Sequence, residues 1–98
     1  MLPKNRRPIH PGEILREEYL KPLEMTQQQL ADALGITRVR INEIILGKRS
    51  ITPDTAFRLS KYFNTTPDFW LNLQQNVDMW DTLQVNKRDY DKIKALTQ

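Results

Sequence analysis

Residues 26–47 read TQQQLADALGITRVRINEIILG, and this stretch decides how the fold is interpreted. Thr26, with Gln29 three positions later, has the pattern of a capping box at the start of a helix. Gly35 is placed to end that helix, because glycine adopts the left-handed backbone of a tight turn at little cost. Thr37 then caps a second helix, which occupies the remainder of the stretch. The sequence therefore predicts two short helices joined by one tight turn.

The second of these helices has one apolar side and one polar side. Its apolar stripe, at spacings of three and four residues, consists of Ile41, Ile44 and Ile45. With that stripe buried, the positions left free are Arg38, Val39, Asn42 and Glu43. Two helices joined by such a turn are typical of the helix-turn-helix motif, which places its second helix in the major groove of DNA. We therefore predict that the four free residues contact DNA bases.

Each of these four predicted base contacts has an alternative. Arg38 suits the O6 and N7 atoms of guanine, but it also suits a phosphate. Val39 either contacts a thymine methyl group or is partly buried in the core. Asn42 matches the N6 and N7 atoms of adenine, or it is an ordinary polar residue of a helix surface. Glu43 either accepts a hydrogen bond from cytosine N4 or pairs with an arginine.

A second set of residues is placed to contact the DNA backbone. Gln27 and Gln28 begin a helix, where free N–H groups and the helix dipole favour an anion. Lys48 and Arg49 follow the recognition helix, and Arg40 lies on its flank. We predict that these five residues contact phosphates, which position a protein on DNA without reading its sequence.

The positive charge of the chain is concentrated around the predicted motif. The formal net charge is only +3. Residues 37–61 carry six cations against two acids, whereas residues 11–36 carry five acids against two cations. A basic segment that overlaps a helix-turn-helix favours a phosphate-facing surface, although charged residues are also ordinary on a solvated surface.

The composition argues for a binding protein rather than an enzyme. The 98 residues include no cysteine and a single histidine, His10, so neither a disulfide framework nor a metal site is expected. No pair of carboxylates is placed for acid–base catalysis, and no glycine-rich phosphate loop occurs. We predict no enzymatic activity, no cofactor and no metal. No apolar run has the length of a membrane span, so we predict no membrane partner and a cytoplasmic location.

The remaining signals complete an all-α domain. Residues 1–9 are basic and contain prolines, and we interpret them as an N-terminal arm. A first helix is predicted from Pro11 to Tyr19 or Leu20, because Pro22 prevents its continuation. Two more helices begin with a cap followed by proline, at Thr52-Pro53 and Thr66-Pro67.

The last of these helices is expected to end near Leu83. We assign the DNA-binding and dimerisation domain to residues 10–84. Beyond Asn86 the apolar pattern weakens, and we interpret residues 85–98 as a tail that forms either a short helix or a strand.

The last predicted helix carries more apolar surface than one small domain needs. Trp70 and Leu73 are expected in the core of the protomer. The predicted dimer interface consists of Val77, Trp80 and Leu83. Alternatively, all five side chains fill the core of one protomer. A homodimer would place two recognition helices about 34 Å apart, matching successive major grooves of DNA.

The whole pattern resembles a known family. Residues 26–63 resemble the phage-repressor and Cro type of helix-turn-helix, the Xre family. Three blocks are similar to HigA-type antitoxins: PIHPGEIL at residues 8–15, LGKRSITP at 46–53, and TTPDFWLNLQ at 65–74. The resemblance covers residues 8–84 and implies a five-helix, lambda-repressor-like domain that dimerises, with a C-terminal extension. It also adds Thr37 to the predicted phosphate contacts.

The resemblance also implies a function. HigA-type antitoxins belong to type II toxin–antitoxin systems, where they neutralise a HigB-type, mRNA-cleaving toxin and repress their own operon at a palindromic operator. The expected partners are therefore double-stranded operator DNA, a cognate toxin and a second copy of the chain. Two alternatives stay open: a stand-alone Xre-family regulator without a toxin, and a protein-interaction module that no longer binds DNA.

Overall fold

A computed structural model describes residues 6–97, so residues 1–5 of the predicted arm and residue 98 lie outside the described range. The described residues form helices and no strand, as the all-α interpretation predicts. Helix α1 starts as an α-helical turn, Pro11–Ile14, and continues as a π-helix, Leu15–Leu20. The others are α2, Gln27–Leu34; α3, Arg38–Ile45; α4, Pro53–Phe63; and α5, Pro67–Asp91.

Threonine caps start four of the five helices. The predicted capping box is confirmed: the Gln29 backbone N–H donates to Thr26 Oγ1 at 3.0 Å, and the Thr26 N–H donates to Gln29 Oε1 at 2.9 Å. The hydroxyl oxygens of Thr37, Thr52 and Thr66 accept in the same way at the starts of α3, α4 and α5. Each bond satisfies a backbone donor that the first helical turn leaves free.

The turn between α2 and α3 has the geometry that the sequence predicts. Gly35 adopts a φ of 71°, in the left-handed region, and the Ile36 N–H donates back to the Ala31 carbonyl at 3.1 Å. Ala31 is fully buried at the crossing, where a small side chain lets the two helices approach. The turn therefore sets the angle at which α3 leaves α2.

A single apolar core lies beneath α3. Its fully buried residues are Leu15, Leu30, Ala31, Ile41, Ile44, Ala56, Leu59 and Trp70. Burying each large aliphatic or aromatic side chain contributes about 1.5–3 kcal/mol. Because the core draws on all five helices, the orientation of α3 depends on the packing of the whole domain.

One backbone contact joins the start of α1 to the end of α3. A Cβ atom at Gly12 would lie 1.9 Å from the carbonyl oxygen of Ile44, and Gly12 is buried. Only glycine permits this approach, so the PIHPGEIL block brings α1 directly against the recognition helix.

Helix α5 is longer than the sequence predicts. The sequence predicts an end near Leu83 and a separate short helix or strand in the tail, but α5 continues without a break to Asp91. No proline or glycine follows Pro67, so nothing terminates the helix locally. The Asn86 side chain donates to the Thr82 carbonyl at 3.1 Å, and Lys87 lies 3.7 Å from Asp91 one turn on. Contacts within the helix therefore support its last turns, where the apolar pattern weakens.

Candidate nucleic-acid interface

Helix α3 presents outward a ridge formed by Arg38, Val39 and Asn42, and it buries its apolar stripe. Ile41 and Ile44 are fully buried beneath it, whereas Arg38 is exposed and Val39 is 67% exposed. Core burial therefore does not account for Val39. Asn42 is half-buried on the same side. Base contact by these side chains stays a prediction.

Glu43 is held by an arginine. Its Oε1 accepts a hydrogen bond from Arg49 Nη2 at 3.0 Å, so the carboxylate bridges α3 and the loop that follows it. The pairing alternative for Glu43 is the one that this geometry favours. We therefore do not keep Glu43 among the proposed base contacts.

Arg40, on the flank of α3, binds two residues of α4. Its Nη2 donates to Thr55 Oγ1 at 2.6 Å and to Asp54 Oδ2 at 3.2 Å. The guanidinium therefore joins α3 to α4 through acidic and hydroxyl acceptors within the chain, and its expected phosphate contact stays a prediction.

Arg58, which no sequence pattern singled out as a site residue, extends that connection to α2. Its Nε donates to Asp54 Oδ2 at 3.0 Å, and its Nη1 donates to the Leu34 carbonyl at 2.8 Å, beside the turn at Gly35. The hydrogen bond from Arg58, followed by that from Arg40, holds the pKa of Asp54 below its ordinary value. The spacing of four between Asp54 and Arg58 could have been found in the sequence, whereas the link across to Arg40 could not.

The other predicted phosphate contacts lie at two places beside the ridge. Gln28 is exposed at the start of α2, where its Nε2 donates to Asp32 Oδ1 at 2.8 Å. Gln27 is half-buried, and its Oε1 is buried without a hydrogen-bond partner among residues 6–97. Thr37 is exposed, with its oxygen accepting from the Arg40 N–H. In the loop after the C-terminal end of α3, Lys48 and Arg49 are exposed and follow Gly47, whose φ is 75°.

His10 caps α1, as its position before Pro11 suggests. Its Nδ1 accepts a hydrogen bond from the Gly12 N–H at 2.9 Å, and its ring lies against Gly47. Burial lowers the pKa of His10 below its ordinary 6.5; Arg7 acts in the same direction, and Asp78 and Asp81 oppose it. A protonated ring would lose the acceptor that caps the helix.

The lowered pKa of His10 predicts a loss of stability in mild acid. The unfolded chain binds the proton more tightly, so the stability due to neutral His10 is complete above pH 6.5 and declines as the pH falls towards the lower folded-state pKa. We expect His10→Asn, which keeps a capping oxygen and does not titrate, to reduce this decline. Urea unfolding at about pH 7.5 and about pH 5.5 measures it. An equal decline in both proteins would contradict the assignment.

The three residues of the predicted dimer interface differ in how exposed their side chains are. Val77 is buried within the protomer, at 1% exposure, so its assignment to the interface is corrected: it belongs to the interior of the chain. Trp80 is half-buried, and Leu83 is 43% exposed. Trp70 is fully buried and Leu73 is packed against the core, as expected. Trp80 and Leu83 therefore remain as predicted contacts with a second copy.

The fold and the site define a helix-turn-helix protein of the nucleic-acid-binding type. The Helix-turn-helix family model matches residues 17–70, and the chain belongs to that family. The resemblance to HigA-type antitoxins of the Xre family is likewise confirmed. No helix among residues 6–97 combines the length and apolarity needed to cross a membrane.

Three known proteins show what the chain is similar to. It is 53% identical to virulence-associated protein I of Dichelobacter nodosus over 77 residues, 78% of this chain and 71% of that protein. It is 37% identical to antitoxin HigA-1 of Vibrio cholerae over 91 residues, 93% of this chain and 86% of that one. The structure of Pseudomonas aeruginosa antitoxin HigA with higBA promoter superposes with a TM-score of 0.88 at 38% identity, covering 93% of this chain and all of the other.

Proposed function

We propose that this protein is a sequence-specific, DNA-binding antitoxin that represses its own operon. The observation that carries the proposal is the outward ridge of α3, where Arg38 and Val39 are exposed and Asn42 is half-buried above the buried isoleucines. A related antitoxin of the same fold has been solved with promoter DNA. The protein acts by binding and not by catalysis, in the cytoplasm.

The three side chains of the ridge offer different chemical groups, each suited to a different base edge. The Arg38 guanidinium can donate two hydrogen bonds to guanine, the Asn42 amide can pair with adenine, and the Val39 methyl groups can contact a thymine methyl. Backbone contacts on either side would fix the helix in the groove: Gln27, Gln28 and Thr37 on one side, Lys48 and Arg49 on the other.

The second partner that we propose is a HigB-type toxin, an mRNA-cleaving ribonuclease. Support comes from the relatives, one of which is named antitoxin HigA-1. Co-purification of the tagged chain with the product of a neighbouring toxin gene tests this partner. Failure to recover that product while operator binding is retained would leave a stand-alone transcriptional regulator.

Operator binding is tested by an electrophoretic mobility shift on the promoter of the protein's own gene. We expect a complex that outcompetes random DNA of equal length and weakens steeply as salt is raised, because phosphate contacts release counterions. Absence of such a complex, in a protein shown to be folded, would overturn the proposal.

A homodimer is proposed to present two recognition helices to a palindromic operator. Trp80 and Leu83 lie on the part of α5 that extends beyond the core, with Met79, 55% exposed, beside them. We expect Trp80→Ala to shift the protein from dimer to monomer, because a large aromatic anchor is removed. Sedimentation equilibrium measures the mass, and the exposed Thr82→Ala on the same helix is the control. An unchanged dimer mass for Trp80→Ala would contradict this interface.

A further inference from the structure

The loop that carries Lys48 and Arg49 is fixed at both ends by hydrogen bonds. At its start, the backbone N–H groups of Lys48 and Arg49 donate to the Glu43 carbonyl at 2.8 and 3.2 Å. At its end, the Ile51 N–H donates to Gln74 Oε1 at 2.9 Å. The first attachment comes from the end of α3, whereas the second comes from the distant helix α5.

Gln74 is a buried polar side chain with both ends of its amide in use. It is 6% exposed, and Ile51, which it contacts, is 3% exposed. Its Nε2 donates to Asp78 Oδ1 at 2.9 Å, which orients the amide so that its oxygen faces Ile51. Burying an amide is unfavourable unless it is fully bonded, and an apolar side chain would fill the same space without that requirement. Gln74 is therefore needed for its hydrogen bond to the loop backbone, and not merely to fill space in the core.

We propose that Gln74 is a positioning residue for operator binding. By holding the Ile51 N–H, it fixes the path of residues 47–51, so that the Lys48 and Arg49 side chains meet phosphates at the same time as α3 enters the groove. The inference rests on the proposed function. It adds a residue of α5, outside the helix-turn-helix itself, to the groups that determine affinity.

The test is Gln74→Met, which keeps the length of the side chain and removes the acceptor. Gln75→Met, on the exposed neighbouring position, is the matched control. We expect Gln74→Met to weaken operator binding roughly tenfold, which is the loss expected when one charged hydrogen bond from Lys48 or Arg49 to a phosphate is misplaced. The slope of log affinity against log salt should fall by about 0.9 for each phosphate that the protein no longer neutralises. Gln75→Met should change neither quantity.

The salt slope separates positioning from simple destabilisation. A partly unfolded variant loses apparent affinity by a similar factor at every salt concentration, whereas a misplaced loop changes the slope. In a Lys48→Ala, Arg49→Ala background, adding Gln74→Met should have little further effect, because the side chains that it positions are absent. An unchanged slope, or full additivity, would overturn the inference.

Two further results distinguish this inference from the proposed function. If Lys48→Ala, Arg49→Ala did not weaken operator binding, the loop's part in the function and the role of Gln74 would both fail. If the double variant weakened operator binding and Gln74→Met left it unchanged, only the inference about Gln74 would fail. Amide hydrogen exchange of the unaltered protein gives an independent measure: we expect the Ile51 N–H to be protected, and exchange at the rate of an unstructured amide would overturn the inference.

Discussion

Gly12→Ala is expected to lower the free energy of unfolding by about 3 kcal/mol or more. The added Cβ would lie 1.9 Å from the Ile44 carbonyl oxygen, 2.8 Å from the Ile44 carbonyl carbon and 2.9 Å from Ile45 Cα. These are backbone atoms in the last turn of α3, so no flexible side chain can move aside. Either α1 separates from the recognition helix or α3 itself shifts, and both lose core packing. Urea unfolding followed by circular dichroism measures the change.

The control for this substitution is Glu13→Ala, at the exposed next position in the same helical turn. It removes a carboxylate near the helix N-terminus and adds no atom to the interface with α3, so we expect a loss below about 1 kcal/mol. Similar stabilities for Gly12→Ala and the unaltered protein would show that α1 and α3 do not approach as closely as described.

Arg38→Ala is expected to weaken operator binding by about 1–3 kcal/mol, or roughly five- to 150-fold, with a smaller effect on random DNA. The reason is geometric: Arg38 is exposed in the first turn of α3, the end at which a recognition helix meets base edges. A guanidinium that forks onto guanine loses both hydrogen bonds on truncation. Fluorescence anisotropy on operator and scrambled duplexes at matched salt measures the difference.

A suitable control is Arg88→Ala, which removes the same charge from the exposed distal part of α5. It should leave the preference for operator over scrambled DNA unchanged. If Arg38→Ala weakened binding to both duplexes equally, Arg38 would be a phosphate contact and the ridge would lose its main sequence-reading residue.

Arg40 supports the recognition helix from α4. Arg40, Asp54 and Arg58 connect α3 to α4 and, through the Leu34 carbonyl, to the end of α2. The network therefore joins α2, α3 and α4 by hydrogen bonds, while the buried isoleucines pack α3 against the core. Base-reading side chains need such support, because a small displacement of the helix would misalign every contact.

The starts of the helices and the exposed ridge of α3 follow from local sequence signals. Threonine caps, a proline in the first turn and Gly35 act within a few residues of one another, so their effects can be read without the fold. The spacing of Ile41, Ile44 and Ile45 likewise settles which side of α3 is buried, and hence that Arg38 and Val39 face outward.

The partners of these side chains within the chain depend on tertiary packing. Arg40 meets Asp54 across 14 positions, and Gln74 reaches Ile51 across 23. Gly12 touches Ile44, and Val77 is buried within its own protomer rather than left for a partner. Helical periodicity specifies the side of a helix on which a residue lies. It does not specify what the other helices place against that side, because such contacts depend on how distant segments pack together.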